Sequence, residues 1–342
     1  MPEKPYENLH HHTNVSDGEL SYLETLVFCQ KYNISTVAFT DHDSLPSKYQ
    51  VNKLRKVYPV KTDWIIGIEI SSGLPEELGG LPSASFHIVG LFVNPFDKRL
   101  TNYCQKKQEA RQERMKRMVK NLNQLGFRIT ADDCLRESQG ESMGRTHIVS
   151  ALKKRPEYGK IIEILKKKMK EDSLRNKKIK IKYQELIDRG PEQYPFALFL
   201  TDNAYLPGIY VNHLYSLPLN MTVSLIREAG GIAILAHWSF IKKKIDLILV
   251  EKLLREKRLD GLEIVYSHSS TAIRKKIYQD IKELKRVAEL NNCLRSGGID
   301  SHTKQNIRSF LRNKRLAPLT RGLTRGIIRH GKIDTSWSSF QN

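Results

Sequence analysis

Cysteine is scarce in this chain: four in 342 residues, at Cys29, Cys104, Cys134 and Cys293, with no CxxC pair. That argues against a disulfide scaffold and a zinc ribbon, and for reduced thiols in a cytoplasmic protein. No apolar run approaches the roughly 20 residues a bilayer span needs, so no membrane segment is expected. The first residues are polar and lead straight into a dense motif, so no targeting segment is expected either. No internal repeat is visible. Acids are outnumbered, 37 Asp and Glu against 57 Lys and Arg, a formal charge of +20. Such a surface attracts polyanions, although a merely solvated Lys-rich surface has the same composition. Hydrophobic residues make up 39%, enough for a real core.

The first hundred residues alternate short apolar runs with helical stretches. Strands are expected at Tyr6 to Leu9, Thr36 to Phe39, Trp64 to Ile70 and Phe86 to Val93, and a helix over Leu20 to Tyr32. This β-α-β rhythm predicts a parallel sheet or barrel. After Pro95 the character changes. Gln105 to Leu125 reads as one long helix with Met115, Met118, Val119, Leu122 and Leu125 on one face. Residues 161–189 hold ten Lys or Arg against five acids. The rhythm returns at Met221, with strands at Ile232 to Ala236 and Gly261 to Val265. From Thr303 onward the chain reads as basic and loop-rich, with nine Lys or Arg against one acid, Asp334. The expected organisation is a discontinuous barrel over 1–98 and 219–302, a mainly helical insertion over 99–218 and a basic tail over 303–342.

Chemistry-bearing residues fall at the expected strand ends. His10-His11-His12 is followed by Ser16-Asp17-Gly18. On a strand, His10 and His12 point to one side and can converge on one ion, whereas His11 points away. Asp17 offers a hard oxygen ligand. Thr40-Asp41-His42-Asp43 follows a strand; taken alone it reads better as a turn with a helix N-cap. Glu69 is an acid inside an apolar strand, costly unless paired or metal-bound. His87, His237, Asp300 and His302 complete the series. Any one of them alone is more often a satisfied core or capping residue. Together, nine N and O donors at separate strand ends would meet on one rim of a barrel. Such donors suit two or three divalent ions, with Mn, Fe or Zn fitting the ligand types.

The order HxHxxxxDG, TDHD, strand Glu, HxxG, LAH and GxDSH resembles the PHP (polymerase and histidinol phosphatase) superfamily over roughly residues 6–302. The likeness is nearer to its stand-alone branch, which acts on nucleoside 3′,5′-bisphosphates and the 5′ ends of short RNA. That branch has a helical insertion with a GRPH sequence, matched here by Gly144-Arg145-Thr146-His147. The resemblance implies an α/β fold, a distorted (β/α)7 TIM-like barrel with a mainly helical insertion domain. It implies His10, His12, Glu69 and Asp300 around one ion, and Glu69 bridging to a second held by His87 and His237. Asp17, His42 and His302 would hold a third and serve catalysis. Arg145 would bind phosphate, and His268 would lie on the substrate side. Three positions depart from the family pattern: Asn8 replaces an Asp, Trp238 a Pro and Thr146 a Pro.

The expected activity is metal-dependent hydrolysis of a nucleotide phosphomonoester or an RNA 5′ end by a water activated between the ions, with nucleotide or short RNA as partner. Two alternatives stand beside it. One is a small-metabolite phosphatase of the histidinol-phosphate type, which would need neither the insertion nor so basic a surface. The other is a degenerate, non-catalytic nucleic-acid-binding module.

Overall fold

The computed structural model describes residues 5–56, 60–80, 82–138, 142–266, 271–331 and 333–340. Seven strands form one sheet in the order β1 to β7: Tyr6–His11, Ile34–Phe39, Asp63–Gly73, Pro82–Leu91, Ile232–Leu235, Gly261–Val265 and Leu294–Gly297. The helices among them are α1 Tyr22–Lys31, α2 Lys48–Arg55, α3 Lys98–Asn123, α4 Ala131–Glu137 and α5 Arg145–Lys153. They continue with α6 Tyr158–Ser173, α7 Lys177–Arg189, α8 Tyr194–Leu198, α9 Leu219–Glu228 and α10 Trp238–Ile241. The last four are α11 Leu247–Arg255, α12 Thr271–Leu290, α13 Lys304–Leu311 and α14 Leu323–Gly331.

The sheet is mixed, which corrects the expectation of a parallel one. β4 runs antiparallel to both β3 and β5, while the other neighbouring pairs are parallel. A reversed strand brings its beginning to the rim where its neighbours end. That is why His87 opens its apolar run instead of closing it. The edge strands are also linked: a parallel bridge joins His11 to Ser301, and His12 N–H donates to Ser301 O at 2.9 Å.

Burial explains why the strands read as continuous apolar runs. Ile65 packs into an inner cluster with Leu9, Ala38, Val89, Ile234 and Ile327. Its neighbours Trp64, Ile66, Ile68 and Ile70 pack into a second cluster with residues of α1, α9, α11 and α12. A strand buried on both faces has no polar alternation to show. Glu69 shares strand parity with Ile65, so it projects from the inner face.

The stretch after Thr303 departs from the loop-rich expectation. It carries α13 and α14, and Ile307, Phe310, Leu316 and Ile327 are buried. Glu7 fixes α14, its carboxylate accepting from Gly322 N at 2.8 Å and Thr324 N at 2.7 Å. Ser338 bridges antiparallel to Ile65. The high density of Lys and Arg hid these apolar anchors.

The chain divides into two compact units. One comprises Met1–Lys107, Gly140–Ser142 and Tyr215–Asn342; the other comprises Gln108–Gln139 and Met143–Leu214. The second unit has its own core, in which Met115, Met118, Val119 and Leu122 of α3 meet Leu152, Leu165 and Phe199. No described helix is long and apolar enough to cross a membrane.

Candidate metal centre

β1 delivers His10 and the loop after it delivers His12, both fully buried. Their Nε2 atoms lie 3.3 Å apart. β3 delivers Glu69, whose Oε2 is 3.3 Å from His10 Nε2 and 3.1 Å from His12 Nε2. Asp300 Oδ1 completes the group, 3.0 Å from His12 Nε2 and 3.6 Å from His10 Nε2. Ligands that each sit about 2.1 Å from one ion must lie roughly 3 Å from each other. These four atoms have that spacing.

The other oxygen of Glu69 faces a second group. Oε1 lies 2.7 Å from His87 Nδ1 and 3.0 Å from His237 Nε2, and the two imidazole nitrogens are 3.2 Å apart. A third group gathers His12, Asp17, His42 and His302, with His302 Nε2 3.3 Å from Asp17 Oδ1. His42 also reaches Glu69, Nδ1 to Oε2 at 2.9 Å, and with His87 these form a further potential ligand set. His42 therefore stands between groups that the family resemblance keeps apart.

The donor set fits bound cations on a separate count. Asp17 Oδ1, His42 Nδ1, Glu69 Oε2, His237 Nδ1 and Asp300 Oδ1 are buried and make no hydrogen bond. Buried polar atoms normally have a partner. Four of these five atoms lie at the ligand spacings just described. The backbone is also held in an unfavourable region here: Asp43, His237 and Asp300 have φ of 49°, 29° and 45°. Such conformations persist where the surroundings over-determine them, as at functional sites.

The electrostatics are those of cations and anions forced together. Burial disfavours the charged form of His12, yet the carboxylates of Asp300 and Glu69 outweigh it and push its pKa up to about 10. His10 is likewise raised, against burial, by Glu69, Glu263 and Asp300. Burial opposes the charge on Glu69, but His87, His42 and His10 hold its carboxyl well below the usual range. His11 is the contrast. Burial and the neighbouring histidines push it down to about 3, and it bonds Ser301 Oγ at 2.6 Å and Thr25 Oγ1 at 3.0 Å. It is a neutral strut that ties β1 to α1 and to the loop after β7.

Several supporting residues went unnoticed in the sequence. Glu263 of β6 receives His10 Nδ1 at 3.0 Å on one oxygen and His237 N–H at 2.7 Å on the other. It thereby orients one histidine and the backbone of another. Asp41 and Asp43 are not helix caps, since Ser47 caps α2. Asp41 accepts from Thr13 N and Ser16 Oγ at 2.7 and 2.6 Å, fixing the loop that carries Asp17. Asp43 accepts from Ser71 N and Tyr103 Oη at 3.0 and 2.8 Å. Asn8 bridges Ser301 Oγ and Ile299 N, so an amide performs a structural link where the family pattern has an acid.

Arg145 belongs to the second unit. It opens α5, and its Nη1 donates to Leu200 O at 2.9 Å. His147 of the same motif accepts from Gly144 N at 2.9 Å and so caps that helix. His268 lies outside the described residues.

No family profile matches the chain, and no curated protein matches it in sequence. The fold has solved counterparts. An amidohydrolase from Chromobacterium violaceum, with sulfate and no metal bound, is 22% identical at a TM-score of 0.60, over 87% of this chain and 88% of that one. A protein from Bifidobacterium adolescentis described as a candidate metal-dependent phosphoesterase is 20% identical at a TM-score of 0.62. That match covers 91% of this chain and 97% of the other. The chain shares their fold.

Proposed function

We propose that this chain is a metal-dependent phosphoesterase of the PHP superfamily, acting on nucleotide phosphomonoesters or the 5′ ends of short RNA. The observation that carries the reading is Glu69, a buried carboxylate whose two oxygens each face a separate set of histidines. A carboxylate so placed is suited to bridge two cations. The motif series and the description of the Bifidobacterium counterpart support phosphate esters as substrates. The branch is inferred from the motif order and the Gly144-Arg145-Thr146-His147 sequence, with Arg145 as a phosphate-binding residue. The links between β1 and the residues after β7 support a sheet closed as a distorted barrel.

His10, His12, Glu69 and Asp300 would hold one divalent ion, and Glu69, His87 and His237 a second. Asp17, His42 and His302 would hold a third; Mn, Fe or Zn suits the donors. Bound there, such ions supply activation of water near neutral pH and neutralisation of charge on phosphate oxygens. The chain's own part is positioning. Glu263 holds His10 with Nε2 turned into the site. Asp41 holds the loop of Asp17, and His11 stays neutral and outside. Tyr266, part-buried beside Asp300, has its pKa raised by desolvation and by the neighbouring carboxylates, so its hydroxyl keeps its proton.

The test is phosphate release from a nucleoside 3′,5′-bisphosphate, histidinol phosphate and a short 5′-phosphorylated RNA, each with Mn²⁺ and with chelator. Metal-dependent turnover of the nucleotide or RNA is the expected result. Turnover of histidinol phosphate alone would replace the substrate class, and no turnover of any of them would sink the enzyme reading.

A further inference from the structure

We propose that a cavity at the end of the strands away from the metal centre is a second binding site, for an organic anion with an aliphatic chain. The proposal goes beyond the hydrolytic reading and does not depend on it. The cavity has a volume of about 1150 Å³. Pockets for small molecules commonly run from about 300 to 1,000 Å³, so there is room for one. Ile232, Leu259 and Leu294 line it, at or just before the starts of β5, β6 and β7. His237 and Asp300 follow the opposite ends of β5 and β7, so the strands stand between the two sites.

Two residues lie at this cavity in spite of a cost to the fold. Gly326 sits inside α14, where glycine is destabilising relative to alanine. A close neighbour would explain it, yet nothing lies within 4 Å of the position its Cβ would take. With Leu323 and His330 it forms the face of α14 that borders the cavity. A side chain there would suit the helix better and would fill the space, so the glycine keeps the cavity open. Lys257, on the opposite wall, has a φ of 54°, in the region that favours glycine.

The lining sets the ligand chemistry. Leu254 and Ala288 add to the apolar wall, and Leu290 stands at the cavity with 67% of its surface exposed. No Phe, Tyr or Trp is among the described residues that line it. A nucleobase would lack the ring on which it usually stacks, whereas an alkyl chain suits aliphatic walls. The acids of the lining are already paired. Asp260 takes Arg227 at 2.7 Å, and Glu289 faces Arg295 at 3.4 Å. Arg255 and Lys257 have no ion-pair partner among the described residues. Arg255 lies in the last turn of α11, where a helix end itself attracts a cation. The open space beside Gly326 has no such use, and apolar walls under unpaired cations fit an anionic head on an apolar chain.

Chelator-treated full-length protein should be titrated calorimetrically with hexanoate, octanoate, octyl phosphate and 1-octanol, each below its aggregation concentration. Octanoate is expected to bind about tenfold tighter than hexanoate, from two more buried methylenes. It should also bind several-fold tighter than 1-octanol, which lacks the charge. Gly326→Leu fills the cavity and should weaken octanoate about tenfold or more, with a melting temperature equal to or above that of the parent. Arg255→Gln should weaken it a few-fold. Tighter binding of octyl phosphate would make the natural head group a phosphate monoester, and tighter binding of octanoate a carboxylate. No binding of either anion, octanol as tight as octanoate, or unchanged affinity in folded Gly326→Leu protein would overturn the proposal. If Gly326→Leu fails to fold, Arg255→Gln decides.

Discussion

Glu69 Oε2 and His42 Nδ1 lie 2.9 Å apart, yet neither makes a hydrogen bond. Two polar atoms that close and that badly aligned for each other behave like neighbours on a third centre. Glu69→Gln keeps the shape and removes the charge that both histidine sets share. The variant is expected to lose bound metal, measured by elemental analysis after dialysis, and to lose roughly 10²-fold or more in turnover. Full metal occupancy in a folded Glu69→Gln protein would contradict the bridging role.

Glu263 acts through His10 and the backbone of His237. Outer partners of metal-binding histidines typically contribute about 10–100-fold in affinity or activity. Glu263→Gln should weaken metal retention by that order in competition with a chelator, while excess metal restores most of the activity. A loss that excess metal cannot restore would point to a structural defect instead.

The site was more legible than its supports, for physical reasons. His10 and His12 sit two apart, and a period of two puts them on one face; Glu69 is an acid in a strand that is otherwise apolar. Glu263 carries the same signal as Glu69. It passed unnoticed because its strand is only five residues long and has charged residues just before it. Asp41 and Asp43 resemble capping residues, and only the folded loops show which backbone groups they bind. The direction of β4 is invisible to periodicity, which is the same whichever way a strand runs. The C-terminal helices were hidden by charge, since Ile327 and Phe310 are single apolar anchors among many cations.

The carboxylate of Glu7 is the clearest anchor of that C-terminal segment. It accepts three hydrogen bonds, from Gly322 N, Thr324 N and Thr324 Oγ1. Glu7→Ala removes a cap and strands buried donors, at a cost of about 1–3 kcal/mol. Chemical denaturation should show a lowered midpoint with an unchanged slope. A midpoint equal to that of the parent would mean that α14 is held by its apolar contacts alone.

The same charges that suit the centre to metal set the pH behaviour of the metal-free chain. His12 is raised to about 10 by Asp300 and Glu69 against the opposing effect of burial. A histidine whose folded pKa exceeds its unfolded value of about 6.5 adds stability that is complete below 6.5. That contribution is lost as pH climbs through about 10. Glu69, Asp17 and Asp300 are held well below the usual carboxylate range by neighbouring histidines, against burial. Their contribution is complete above the unfolded value of about 4 and disappears as pH falls further. Chelator-treated protein should therefore melt at progressively lower temperature from about pH 7 to 10, and this slope should flatten in His12→Gln. Metal must displace the His12 proton to bind, so uptake releases protons and tightens as pH rises. Titrating Mn²⁺ in two buffers of different ionisation enthalpy measures that release directly. Heats that do not depend on the buffer would show that His12 is already neutral, and that the carboxylates do not hold its proton as this geometry requires.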